Sequence, residues 1–298
     1  MTNIDAMLKA VDFIEGNLKE PISVSDVADA VGYSLYHFSR IFNAVVKHSP
    51  YDYIMRRRLS ESARELLTTR KKIITIALDY QFNNPETYSR AFRRMFGVLP
   101  NQLRKDKTVG TLVFKSRMTY QQILHINKGD YLVPILVEKP ALCFAGIATT
   151  IVSGNEQKME LQKRFLAILD RLPDGMRTEH YYGISIYPRD LNTDGFFYMN
   201  AVEVERLDDL HPLLVAKPIP PLAYARFIHK GLYRDIGLSS DYIYQTWLPR
   251  SGYELSMPIE LEYFGPNYLG PHDESSEVEI FIPIRMAGQA ARRAPPLL

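Results

Sequence analysis

At 298 residues, 46% of them hydrophobic, the chain is long enough for two domains, each with its own core. No stretch approaches the roughly 20 apolar residues that would span a bilayer, and the N-terminus reads as a helix rather than a signal peptide; a cytoplasmic protein with no membrane partner is expected. The net charge of +2 conceals an asymmetry, since residues 1–107 carry 17 Lys plus Arg against 12 Asp plus Glu (+5) and the remainder 19 against 22 (−3), which confines nucleic-acid contact to the first part.

The periodicity of Ile4, Met7, Leu8, Val11, Ile14 and Leu18 predicts an opening helix over 4–18, ended by Pro21. Ser25 is the expected cap of a short helix with apolar Val27, Ala28 and Val31, and Gly32 breaks it. Ser34 should cap a second helix with the apolar stripe Leu35, Phe38, Ile41, Phe42 and Val45 and an outer face of Tyr36, His37, Ser39, Arg40 and Lys47. Helix, glycine turn and helix with a polar outer face is the helix-turn-helix pattern.

After Ser49-Pro50, a helix over 51–67 places Ile54, Leu59, Ala63, Leu66 and Leu67 inward. It places Arg56, Arg57, Arg58 and Glu61 more outward, so that the arginines are candidate phosphate contacts. The pattern then repeats. Ile74, Ile76, Ala77 and Leu78 mark a first helix, Gln81 to Asn84 a turn, and Pro85 to Phe96 a second helix capped by Asn83 or Asn84 and stopped by Gly97. Its stripe is Tyr88, Ala91, Phe92, Met95 and Phe96; its outer face is Glu86, Ser89, Arg90, Arg93 and Arg94. Two recognition helices held about one DNA turn apart, roughly 34 Å, can enter successive major grooves from one side.

These residues resemble the DNA-binding domain of AraC-family transcription regulators. The resemblance is carried by Val27-Ala28, Gly32-Tyr33-Ser34 and Phe38-Ser39-Arg40-Ile41-Phe42. In the second copy it is carried by Ile76-Ala77, Phe82, Tyr88, Arg90-Ala91-Phe92, Phe96-Gly97, Pro100 and Arg104. One departure is Gln81, where the family usually has Gly before the Phe, which implies a turn made without a free positive-φ residue. The implied partner is double-stranded DNA, with RNA polymerase expected beside it and activation the family's commoner direction. The contact set is Tyr36, Ser39 and Arg40 from the first recognition helix and Glu86, Ser89, Arg90 and Arg93 from the second. Arg40 and Arg90 are the expected base readers, because Arg bonds guanine bidentately. One chain supplies two recognition helices, so monomer and dimer are both compatible.

The helical period lapses after Arg104, and 108–129 reads as a linker. Beyond it the texture becomes that of short strands: Tyr131 to Val137 and Leu142 to Val152, the latter holding Cys143, the one cysteine of the chain. A lone cysteine excludes an intramolecular disulfide and a cysteine-based zinc cluster, and its apolar run predicts a small buried side chain. A helix over 156–172 follows, marked by Met159, Phe165, Ile168 and Leu169. Tyr181 to Tyr187 and Phe196 to Val204 pair across a turn with Asn192, Asp194 and Gly195. Leu222 to His229 is a strand, 232–247 is mostly helical, and Ile259 to Phe264 and Val278 to Ile284 are strands. Strand, helix, strand, strand thus occurs twice, and Pro140-Ala141-Leu142-Cys143-Phe144-Ala145 echoes Pro220-Pro221-Leu222-Ala223-Tyr224-Ala225. The expectation is an all-α double helix-turn-helix domain (1–107) followed by an α+β domain (130–285). The latter has an antiparallel sheet and two pseudo-repeated halves that meet in a groove; 286–298 reads as a disordered tail.

The second domain resembles the GyrI-like effector-binding domain. Pro140, Gly146, Gly231, Tyr242, Trp247, Leu248-Pro249, Glu262-Tyr263, Pro266 and Glu279-Ile280-Phe281-Ile282-Pro283-Ile284 carry the match. The region is rich in rings: Tyr181, Tyr182, Phe196, Tyr198, Tyr224, Phe227, Tyr242, Trp247, Tyr263 and Tyr268. Rings around one carboxylate suit flat, lipophilic cations. The resemblance puts the carboxylate on Glu262, with Tyr263, Trp247, Tyr242, Tyr224 and Tyr182 as companions and a small aromatic or lipophilic cation as effector. Two alternatives stay open: a small-molecule hydrolase using Glu262 with Tyr263 or Tyr242, and a protein-binding module. No nucleophile-base-acid set, phosphate loop or metal spacing appears, and the seven histidines show no His-x-x-x-His pair. No cofactor, metal or catalytic residue is implied.

Overall fold

In the computed structural model of the chain, the described residues are 3–107, 114–128, 132–152, 154–169, 180–188, 195–207 and 210–288. They form two compact units. The first is 1–129 joined by Ser240–Pro249, and the second is 130–239 with 250–298. Outside the described residues lie Tyr131, Asn192, Asp194, residues 170–172 of the expected helix, part of the linker and nearly all of the tail.

The first unit opens with α1 (Asn3–Gly16), whose buried side is Ala6, Met7, Ala10, Val11 and Ile14. Next come α2 (Val24–Ala30) and α3 (Leu35–Val46). The cap of α2 is Ser23, not Ser25: Asp26 stands at the third helical position and returns a bond to the Ser23 amide, closing a capping box that Ser25 cannot make. On α3, Phe38, Phe42 and Val46 are buried, whereas Leu35, the first residue of the helix, is half exposed at 50%. Then α4 (Pro50–Thr68), capped by Ser49, runs 19 residues, about 28 Å at 1.5 Å per residue.

The arginine run on α4 differs from expectation. Arg57 and Arg58 are buried. Arg57 grips Glu15 through Nε (2.8 Å) and Nη2 (2.7 Å), reaches Glu61 at 2.9 Å and donates to the Lys115 carbonyl. Arg58 donates to the carbonyls of Leu18 (2.9 Å) and Glu20 (2.6 Å). Arg56 is held by Asp52 one turn back. These cations close the inside of the unit rather than offering themselves to phosphates.

The second copy consists of α5 (Ile73–Asp79) and α6 (Pro85–Phe96). Ile76 and Ala77 are buried, but Ile74 and Leu78 are exposed, since a seven-residue helix can bury only one narrow side. Asn84 caps α6 by accepting from the Thr87 amide, and Gly97 ends it at φ +74. Tyr88, Phe92 and Phe96 join Leu59, Ala63 and Leu66 of α4 in one core. Gln81 takes φ +64, so the turn does contain a left-handed residue, steadied by its side chain on the Lys19 carbonyl. α7 (Pro100–Asp106) follows.

Within the expected linker, α8 (Tyr120–Ile126) is capped by Thr119, and Lys115 NH donates to Ser60 Oγ at 2.8 Å. Ser240–Pro249 is held in the same unit by Gln122 on Asp241 (2.7 Å), by Ser116 NH on Gln245 (2.9 Å) and by Thr246 on His48 (3.1 Å).

In the second unit, the strands are β1 (Ile135–Lys139), β2 (Leu142–Ile151), β3 (Tyr181–Ile186), β4 (Phe196–Glu203), β5 (Val215–Ile219), β6 (Leu222–Lys230), β7 (Tyr253–Leu255), β8 (Ile259–Phe264) and β9 (Glu277–Met286). They form one sheet in the order β1-β6-β9-β8-β3-β4-β2-β5, antiparallel at every pairing, with β7 on β9. β5 and β7 are short strands that alternation alone did not reveal. Helix α9 (Gly154–Leu169) packs on one side, where Leu161 meets Ile151 and Tyr198. The other side carries an apolar cluster that includes Phe144, Tyr182, Ile184, Met199, Tyr224, Leu261 and Phe281. Cys143, expected buried, is partly exposed on β2. A helix, α10 (Ile236–Tyr242), continues into a π turn over Ile243–Trp247. No helix among the described residues is long and apolar enough to cross a membrane.

Candidate functional site

The outer faces of α3 and α6 are where the periodicity leaves them. Tyr36 is 81% exposed; Arg40, Glu86, Arg90 and Arg93 are exposed, and Ser39 and Ser89 half-buried. Among the described residues none of these seven side chains makes a hydrogen bond or ion pair. That leaves three guanidinium groups, each with a planar fork of donors, uncommitted on helices whose opposite sides are anchored by Phe38, Phe42, Tyr88 and Phe92.

The second unit buries a carboxylate. Alternation along β8 puts Glu260, Glu262 and Phe264 on the side that faces α9, and Ile259, Leu261 and Tyr263 on the apolar side. Glu262 is fully buried, and a charge there is tolerable only if it is bonded. Lys158 Nζ of α9 donates to Oε1 at 2.6 Å. The Tyr198 hydroxyl of β4 (2.9 Å) and the Tyr233 hydroxyl (2.7 Å) both donate to Oε2. Burial first, and then the negative charge of Glu262, push both phenols well above their ordinary pKa, so they stay protonated as donors.

Neighbouring side chains build an aromatic surround. Lys158 Nζ stands 4.5 Å from the Tyr198 ring centroid and 5.5 Å from that of Phe196. Tyr181 stacks on Phe264 at 4.7 Å, and Tyr268 and Tyr233 meet the edge of that ring at 4.8 and 5.5 Å. Gln162 of α9 donates to the Tyr181 hydroxyl. Gly183, paired with Glu262, makes room: a Cβ there would lie 2.8 Å from Tyr198 Cζ and 3.0 Å from Glu262 Oε2. The site thus offers a buried carboxylate fixed by two phenols, rings on several sides and one lysine.

The sequence-predicted companions of Glu262 divide. Tyr182 and Tyr263 face each other at 4.9 Å on the opposite, apolar side of the sheet, in the cluster that also holds Tyr224. Tyr182 bonds Glu203 there at 3.3 Å. Tyr242 and Trp247 belong to Ser240–Pro249 of the first unit. Neither Lys158, Tyr233 nor Gly183 was singled out from sequence. Two of them leave a trace: Lys158 sits on the buried spacing of Leu161, Phe165 and Leu169, where a cation needs a partner, and a glycine inside a strand marks a close approach.

Comparison with known proteins agrees with this geometry. Residues 27–106 match a helix-turn-helix domain family, and residues 133–285 match the GyrI-like small molecule binding domain. The chain is 26% identical to the transcriptional regulator Rob of Salmonella typhimurium over 296 residues, 92% of this chain and 96% of that one. It is 33% identical to the multiple antibiotic resistance protein MarA of the same organism over 131 residues, 43% of this chain and 97% of MarA. To the HTH-type transcriptional activator AarP of Providencia stuartii it is 38% identical over 96 residues, 32% of this chain and 71% of AarP. Such relatives are regulators rather than enzymes. The chain belongs to the AraC-type helix-turn-helix transcription regulators that carry a GyrI-like small molecule binding domain.

Proposed function

We propose that the chain activates transcription in response to a small aromatic or lipophilic cation bound at Glu262. The observation that carries the effector class is the buried Glu262 carboxylate, ringed by Tyr181, Tyr198, Tyr233 and Phe264. A carboxylate taken out of water attracts a cation far more strongly than one at the surface, and ring faces favour a delocalised charge over a small hydrated one. On the DNA side, Arg40 and Arg90 read bases, while Tyr36, Ser39, Glu86, Ser89 and Arg93 complete the contacts. The exposure of Tyr36, Arg40, Glu86, Arg90 and Arg93 and the lack of internal partners of all seven support this role. RNA polymerase is the partner that activation requires.

A reporter placed behind sites selected from random duplexes tests the reading. A lipophilic cation should raise its output, and Glu262→Gln should abolish the response while leaving DNA binding intact. No response to any aromatic cation, with site-specific DNA binding retained, would defeat the effector assignment.

A further inference from the structure

The position that a cationic effector needs is already taken. Lys158 Nζ is bonded to Glu262 Oε1 and lies against the rings of Tyr198 and Phe196, and it is the ion-pair partner of Glu262 among the described residues. The two carboxylate oxygens are not equivalent: Oε2 is fixed by the phenols of Tyr198 and Tyr233, whereas Oε1 is met by the lysine of α9. We propose that Lys158 is the resident cation of this site, and that an organic cation binds by displacing its ammonium from Oε1. This rests on the reading of Glu262 as the effector's counter-charge and adds the step that controls access to it.

With Lys158 in place the buried pair is neutral, so a second positive charge would find no net attraction and would meet the repulsion of the ammonium. Binding and lysine release must then be one exchange. A lysine suits that exchange better than an arginine, since it meets the carboxylate as a point charge on a flexible stem and can rotate its tip into water. The side chain is already 8% exposed against 0% for Glu262, which marks the lysine as the movable partner. Tethering gives the ammonium a high effective concentration, so weakly bound cations lose to it. Small hydrated ammonium ions gain nothing over Lys158. Large, delocalised cations cover more ring surface than the ammonium that rests on Tyr198 and Phe196, and Lys158 thereby sets the selectivity of the site.

Methyltriphenylphosphonium, which has no hydrogen-bond donor, is a suitable probe for calorimetric titration of the full chain. Lys158→Met should bind it at least tenfold more tightly than wild type, Lys158→Arg more weakly than wild type, and Glu262→Gln should remove binding in both the wild-type and Lys158→Met backgrounds. Binding to Lys158→Met that is equal to or weaker than wild type, with Glu262→Gln still inactive, overturns the exchange while leaving Glu262 as the counter-charge. Binding indifferent to Glu262→Gln sinks the underlying reading. A measurement on the unaltered protein guards against a variant that fails to fold. Acetylation of Lys158 by an N-hydroxysuccinimide ester, followed by mass spectrometry, should be slow in the free protein and at least tenfold faster at saturating probe. An unchanged rate in the probe-bound protein refutes displacement.

Discussion

Gly183→Ala should destabilise the second unit and dismantle its carboxylate site. The added methyl would sit 2.8 Å from Tyr198 Cζ and 3.0 Å from Glu262 Oε2, and closer still to the Tyr198 hydroxyl. Relief is not cheap, because Tyr198 is buried, has only two side-chain torsions and is wedged against Leu161 and Ile151. Overpacking of this kind costs about 1 to 3 kcal/mol. Driving the phenol off Glu262 loses a hydrogen bond to a charged group, worth about 1.5 to 3 kcal/mol. The sum, discounted for partial relaxation, is about 3 kcal/mol, equivalent to a factor of more than 100 in the folding equilibrium. Tyr198→Phe removes the hydroxyl that the methyl strikes and should cost about 2 kcal/mol by itself. The double variant should then be at least about 1 kcal/mol more stable than the two losses added together, because both remove the same bond. Urea unfolding followed by hydrogen exchange of β3 and β8 amides measures each corner of the cycle. A loss below about 0.5 kcal/mol for Gly183→Ala, or strict additivity, would show that the methyl is accommodated elsewhere.

Three further outcomes follow from the first unit. Arg57→Ala leaves Glu15 and Glu61 without their buried partner and should cost about 3 to 5 kcal/mol in urea unfolding, with the slope of DNA affinity on salt concentration unchanged; a shallower slope would restore the phosphate-contact reading. Burial, opposed by the bond to Asp52, lowers the His48 pKa from 6.5 to about 4. As pH falls through 6.5 the unfolded chain therefore takes up the proton first, and stability falls by about 1 kcal/mol between pH 6.5 and 5.5 and levels off below about pH 4. His48→Gln should flatten that part of the profile in thermal melts, and an unaltered slope would assign the loss to other groups. Arg40→Ala should weaken binding to the preferred site by about 1 to 3 kcal/mol and relax specificity at one position in a selection experiment. Equal loss on all duplexes would make Arg40 a phosphate contact.

Local rules account for what was legible. Helix α6 could be read to the residue, because Asn84, Pro85 and Gly97 each act within one turn of the chain and Tyr88, Phe92 and Phe96 repeat at the helical period. The exposed arginines of α3 and α6 were legible for the same reason: a face opposite a phenylalanine stripe has nowhere to go but solvent. Burial defeated the same logic on α4, where the face that looked polar was buried, because Glu15 and the carbonyls of Leu18 and Glu20 replace the water that Arg57 and Arg58 give up on burial. The Ser23 cap shows a finer failure, in which two serines compete and a carboxylate three residues on decides.

By itself, the sequence determined the paired helix-turn-helix pattern and the strand texture that follows it, since periodicity and caps are properties of neighbouring residues, and a family resemblance pointed to Glu262. Only the tertiary structure decided what surrounds Glu262. Tyr182 and Tyr224, adjacent in type and plausible in sequence, fall with Tyr263 on the opposite side of the sheet, while Lys158, Tyr198 and Tyr233 converge from positions 29 to 104 residues away. Which face a residue takes follows from the pleat, and which distant side chain meets it follows from register and packing, neither of which is encoded in any short stretch of chain.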